Sequence, residues 1–178
     1  MEKRYHHGDL RAALIEVGLR LLAERDVEGV SLREMAREVG VSATSVYRHF
    51  PDKAALMRAL AREGLERLAT AQRDAASGKE GAASFAATGR AYVRFALANP
   101  AIFRLIFTSS AQLQATGEVE ALRMLRANAA AASPRDAGPD QSENDALRAW
   151  SLVHGLAMLM LDGQLPADDR LIDTLIQG

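Results

Sequence analysis

The chain is expected to be all-α: a small N-terminal domain of three helices, then a larger helical domain, about nine helices in all. Three features of its 178 residues predict this. Apolar residues recur at helical spacing, as Leu10, Leu14, Val17 and Leu21 do at i, i+4, i+7 and i+11. β-branched residues are sparse, so almost nothing reads as strand. Residues that start and stop helices punctuate the apolar stripes, among them Ser31, Gly40, Ser42 and Pro51. With 48% hydrophobic residues the chain can bury a core, and 25% charged residues is ordinary for a globular domain.

The first helix starts near Asp9, whose charge suits the positive end of the helix dipole, and runs to about Arg25. Ser31 opens the second. "SLRE" has the form of a capping box, in which Ser31 and Glu34 each accept from the other's backbone amide. Leu32, Met35, Ala36 and Val39 form its apolar face, and Gly40 ends it as a left-handed cap. Ser42 caps a third helix of one to two turns, stopped by Pro51. Asp52 caps a fourth, which carries Leu56, Leu60, Leu65 and Leu68 to about Ala76. "SGKEG" at 77–81 marks the clearest boundary, giving a first domain at 1–52, a connecting helix at 53–76 and a second domain at 77–178. Helices follow over "GRAYVRFALANP", over "AIFRLIF", and over an alanine-rich stretch at 118–132. A polar loop is expected at 133–144. A long apolar helix at 145–161 and a last one at 168–177 complete the chain.

Net charge is −1, which argues against a polybasic protein that coats nucleic acid by charge alone and leaves room for a local basic surface. The absence of cysteine excludes disulfides, thiolate zinc sites and cysteine nucleophiles. The four histidines form no HExxH pattern, and no GxSxG or Walker A motif appears. No enzyme activity, metal or cofactor is therefore expected. "MEKRYHHGDL" has no apolar secretory core, and the longest apolar run, 150–161, falls short of the roughly 20 residues a bilayer requires. A cytoplasmic location without a membrane partner is expected.

Two short helices joined by a tight turn match a helix-turn-helix, whose second helix lies in the DNA major groove. Met35, Ala36, Val39, Val41 and Val46 are placed to lock the pair together. The outward set is Ser42, Ala43, Thr44, Ser45, Tyr47, Arg48 and His49, mostly short or hydrogen-bonding side chains that let the backbone sit deep in a groove. Thr44 and Ala43 suit a thymine methyl, and Tyr47, His49 and Lys53 suit phosphates. Ser42 reads first as a cap. Taken singly, Arg48 and Lys53 read equally as solvated surface charges.

"GVSATSVYRHFPDKAAL", preceded by "GVSLREMAREV", resembles the DNA-binding domain of TetR-family transcriptional repressors over about residues 8–68. Tyr47, Phe50, Lys53 and Leu56 are the most specific part of that likeness. The resemblance implies a homodimer that binds a palindromic operator and is released by a small-molecule effector. It implies that Ala43, Thr44 and Ser45 lie near bases, that Tyr47, His49 and Lys53 hold the backbone, and that Ser31 and Arg33 approach phosphate. Phe50 would be core. "WSLVHGLAML" resembles the variant of the family with a Trp-x-x-x-His-Gly signature. Dimerisation through the helices at 145–161 and 168–177 is implied as well. The first of these is apolar on more than one face, with Leu156 among its interface candidates.

Tyr92, Phe95, Phe103, Phe107, Met124, Trp150, His154 and Met158 are the candidates to line an effector cavity, since aromatics and methionines make adaptable apolar walls. Each also reads as core packing. The competing reading is a helical ligand- or protein-binding module without sequence-specific DNA binding.

Overall fold

A computed structural model describes residues 10–25, 27–108 and 139–177, and the regular structure among them is entirely α-helical. Eight helices follow in order: α1 (Leu10–Glu24), α2 (Leu32–Val39), α3 (Ala43–His49), α4 (Lys53–Ala76), α5 (Gly81–Ala98), α6 (Pro100–Thr108), α7 (Pro139–Leu161) and α8 (Asp169–Leu175). The helix expected at 118–132, with Met124, lies outside the described residues.

These residues form two compact units, 10–64 with 101–108, and 65–100 with 139–177. α4 therefore contributes to both, and α6 belongs with the first unit although it follows α5 in the chain.

In the first unit α2 has eight residues and α3 seven, too few to persist alone in water. A shared core holds them. Leu14, Leu21, Met35, Val46, Leu56 and Leu60 are fully buried, and Phe50 is 2% exposed. Each such side chain contributes roughly 1.5–3 kcal/mol by leaving water. The short helices are closed by local chemistry. Gly40 adopts φ 77°, where a side chain would be strained, and the Val41 amide donates back to the Ala36 carbonyl at 2.9 Å. Ser42 Oγ accepts from the Ser45 amide at 3.2 Å, and Asp52 Oδ1 from the Ala55 amide at 2.6 Å. The capping box does not form. Ser31 has the extended N-cap backbone, but its side chain makes no cap hydrogen bond. Glu34 instead accepts from Arg25 Nη1 at 3.0 Å, an ion pair to the end of α1 that draws its carboxylate away from the Ser31 amide. Arg20 adds a second tie, pairing with both Glu24 and Glu38.

α4 and α6 cross closely at Gly64. A Cβ there would lie 2.5 Å from Ile102 Cγ2 and 3.1 Å from Ile106 Cδ1, so only a hydrogen fits.

In the second unit α5 packs along α7, burying Ala86, Ala87, Val93 and Ala96 on one helix and Ala146, Val153, Ala157 and Met160 on the other. α8 is fastened to α5 by arginines. Arg94 donates to Asp169 at 2.7 Å and to Asp173 at 3.0 Å, and Arg90 to the Ile176 carbonyl at 2.6 Å. Asp168 caps α8 through the Arg170 amide rather than starting the helix itself.

α7 begins at Pro139, six residues before the expected start at Asp145, so the end of the expected loop is helical. Proline is well placed in a first turn, where its missing N–H costs nothing. Gln141 donates to Asp145 one turn on, and Arg148 reaches back to the same carboxylate. These first turns are polar, so no apolar periodicity marks them.

Candidate nucleic-acid interface

α3 has two unlike sides. Val46 is fully buried and Phe50, just past its end, anchors it to the core. Ala43, Thr44, Tyr47, Arg48 and His49 are exposed, with Tyr47 at 42%. An exposed tyrosine on a seven-residue helix is not held there by burial of its ring. Ser42 and Ser45 are committed to the cap: besides the backbone bond, their hydroxyls lie 2.9 Å apart. Arg11 stacks its guanidinium 5.6 Å from the Phe50 ring, bracing the far side.

Beside α3 a surface hollow of about 550 Å³ gathers four of the residues singled out from sequence: Ser31 and Arg33 from the start of α2, Tyr47 from α3, and Lys53 from the first turn of α4. The turn between α3 and α4 brings Lys53 round to face the α2 start. Its ammonium donates to the Glu28 carbonyl at 3.1 Å and lies 3.8 Å from the Glu28 carboxylate. Glu28 is a residue that sequence reasoning passed over, because it sits in a turn with no periodicity and meets Lys53 only after folding.

The effector candidates divide between the units. Phe103 and Phe107, in the first, meet with ring centroids 4.9 Å apart and planes tilted by 56°. Tyr92, Phe95, Trp150, His154 and Met158 belong to the second. There Tyr92 Oη lies 2.9 Å from His154 Nδ1 and accepts a longer bond, 3.4 Å, from Trp150 Nε1. The imidazole lies edge-on to Tyr92 and 5.8 Å from the Trp150 ring. Burial raises the Tyr92 pKa and lowers that of His154, so both stay neutral near pH 7. Phe95 is buried and Met158 half-buried. Gln72, on α4, was also passed over. It is 1% exposed, and its Oε1 finds no hydrogen-bond partner among the described residues. A polar residue four positions after Leu68, on the buried stripe of the helix, is the signal that marks it.

Residues 14–60 match the model for bacterial regulatory proteins of the tetR family, and residues 85–177 match that for a tetracyclin repressor-like C-terminal domain. A solved protein of unknown function from Rhodococcus sp. RHA1 is 33% identical, with 98% of this chain and 97% of that one aligned at a TM-score of 0.79. The fold is shared with a tetR-family transcriptional regulator from Streptomyces coelicolor (22% identity, 97% and 79% covered, TM-score 0.67). It is shared too with a TetR family transcription regulator from Marinobacter aquaeolei VT8 (18% identity, 95% and 92% covered, TM-score 0.60). With a helix-turn-helix in the first unit and both family models matched in order, the chain belongs to the TetR family of transcription regulators.

Proposed function

We propose that the protein is a homodimeric repressor that holds a palindromic operator through two copies of α3 and leaves it when a small-molecule effector binds the second unit. The observation that carries the reading is the exposed α3 face, Ala43, Thr44, Tyr47, Arg48 and His49, mounted on buried Val46 and Phe50. Ala43 and Thr44 are short enough to approach bases. Ser42 and Ser45 fix the helix end that faces them. Tyr47, His49 and Lys53 hold one phosphate backbone, with Ser31 and Arg33 alongside. On this reading residues 1–52 form the reading head and 53–76 link it to an effector domain within 77–178, from which α6 packs with the first unit.

Two recognition helices must meet successive major grooves roughly 34–36 Å apart, which calls for a two-fold dimer. Leu152 and Leu159 on α7 and Leu175 on α8 support one, being 47%, 46% and 43% exposed. Leu152, Gly155 and Leu159 follow at i, i+3 and i+7 along a single face, and a Cβ on Gly155 would meet nothing within 4 Å among the described residues. Leu156, an interface candidate by composition, is instead 4% exposed and belongs to the protomer's own core.

The effector reading rests on the neutral Tyr92–Trp150–His154 cluster, in which Trp150 and His154 come from the Trp-x-x-x-His-Gly pattern on α7 and Tyr92 from α5. Phe95 and Met158 supply apolar wall in the same unit, and the Gln72 carbonyl offers an acceptor to a donor on the effector. An effector that favours one helix spacing over another shifts the population of DNA-competent dimers by its differential affinity.

Tyr47→Phe tests the interface. Loss of one hydroxyl bond to a charged phosphate, worth about 1.5–3 kcal/mol, weakens operator binding roughly tenfold or more at fixed salt. Helical content stays the same because the ring is exposed. Unchanged affinity would remove Tyr47 from the contact surface.

A further inference from the structure

We infer that Glu28 acts as a built-in brake on DNA binding: its carboxylate competes with a backbone phosphate for Lys53. The inference rests on the DNA-binding reading above and adds a residue to it.

Among the described residues, the hollow beside α3 is lined by two cations, Arg33 and Lys53, and two carboxylates, Glu28 and Asp52. The two carboxylates differ in what they do. Asp52 is committed to capping α4 through the Ala55 amide. The Glu28 side chain is 90% exposed, and its ion-pair partner is Lys53 at 3.8 Å. Capping does not explain Glu28, and an ion pair that exposed adds little to stability. Its charge nonetheless brings the formal balance of these four described residues to zero, where a face built only to attract a polyanion would keep it positive.

Lys53 is held from two sides by one residue. The Glu28 carbonyl fixes the ammonium at 3.1 Å, and the carboxylate shares its charge. A phosphate arriving between Tyr47 and Lys53 must displace that carboxylate or accept it as a neighbour. Either way the cost falls on every duplex alike, because phosphates carry no sequence. The carbonyl bond does not depend on the side chain, so replacing the carboxylate leaves Lys53 in position.

The test is Glu28→Gln, which keeps shape and removes the charge, titrated by fluorescence anisotropy against a duplex recovered by selection from a random pool and against an unselected random duplex at several salt concentrations. Like charges a few ångströms apart near a protein surface predict a gain of about three- to tenfold at low salt, equal on both duplexes and shrinking as salt rises. In a Lys53→Gln background the same change should produce a much smaller gain. Unchanged or weaker binding by Glu28→Gln overturns the inference, as does a gain that survives intact without Lys53. A wild-type chain that binds neither duplex would instead defeat the DNA-binding reading itself.

Discussion

Leu152→Glu is the sharpest probe of the α7 face. About half of Leu152 remains in contact with solvent, and the same holds for Leu159. Full burial of a leucine is worth ~2 kcal/mol, so covering the remaining half gains about 1 kcal/mol per side chain. Two such leucines on each of two protomers contribute about 4 kcal/mol to association. Replacing Leu152 alone forfeits about half of that. It also brings two carboxylates into a region that must exclude water, at a further cost of several kcal/mol. The dimer dissociation constant should rise at least a hundredfold. Sedimentation equilibrium at low micromolar protein reads this directly, with circular dichroism as the check that the protomer stays folded. Leu156→Glu is the contrasting variant: at 4% exposure it should lose helical content before it loses a partner. An intact Leu152→Glu dimer of unchanged affinity would refute the assignment of this face.

The α4–α6 crossing predicts that Gly64→Ala destabilises the protein by about 1–3 kcal/mol in urea unfolding, because its Cβ would fall 2.5 Å from Ile102 Cγ2; unchanged stability would show that the helices part at no cost. Burial depresses the His154 pKa below its usual 6.5. The unfolded chain then takes up a proton that the folded one refuses. The stability tied to this residue is complete above pH 6.5 and is lost as the pH falls from there towards the folded value. His154→Gln should flatten the stability–pH curve in that window, and parallel curves for the two proteins would contradict the assignment.

The helix-turn-helix was legible because its signals are local. Gly40, Ser42, Pro51 and Asp52 act on neighbours within a few residues, and each does in the structure what its position predicts. What depends on distant partners was not legible. Glu34 has the spacing of a capping box, yet its partner is Arg25, brought close only when α1 and α2 pack. The start of α7 is polar on all sides and carries no stripe. Within α7 the apolar residues cover several faces, so the period could not separate Leu156, turned inward, from Leu152 and Leu159, turned outward. The pairing of Tyr92 with His154 joins residues 62 apart, and only packing of α5 on α7 makes it.

Selection of bound fragments from a pool of random duplexes asks most directly whether the outer face of α3 reads DNA. An exposed Thr44–Tyr47 surface on a two-fold dimer predicts recovery of an inverted repeat whose half-sites are centred about one helical turn, or a whole number of turns, apart. Recovery of no enriched sequence, or of one lacking two-fold symmetry, would contradict it.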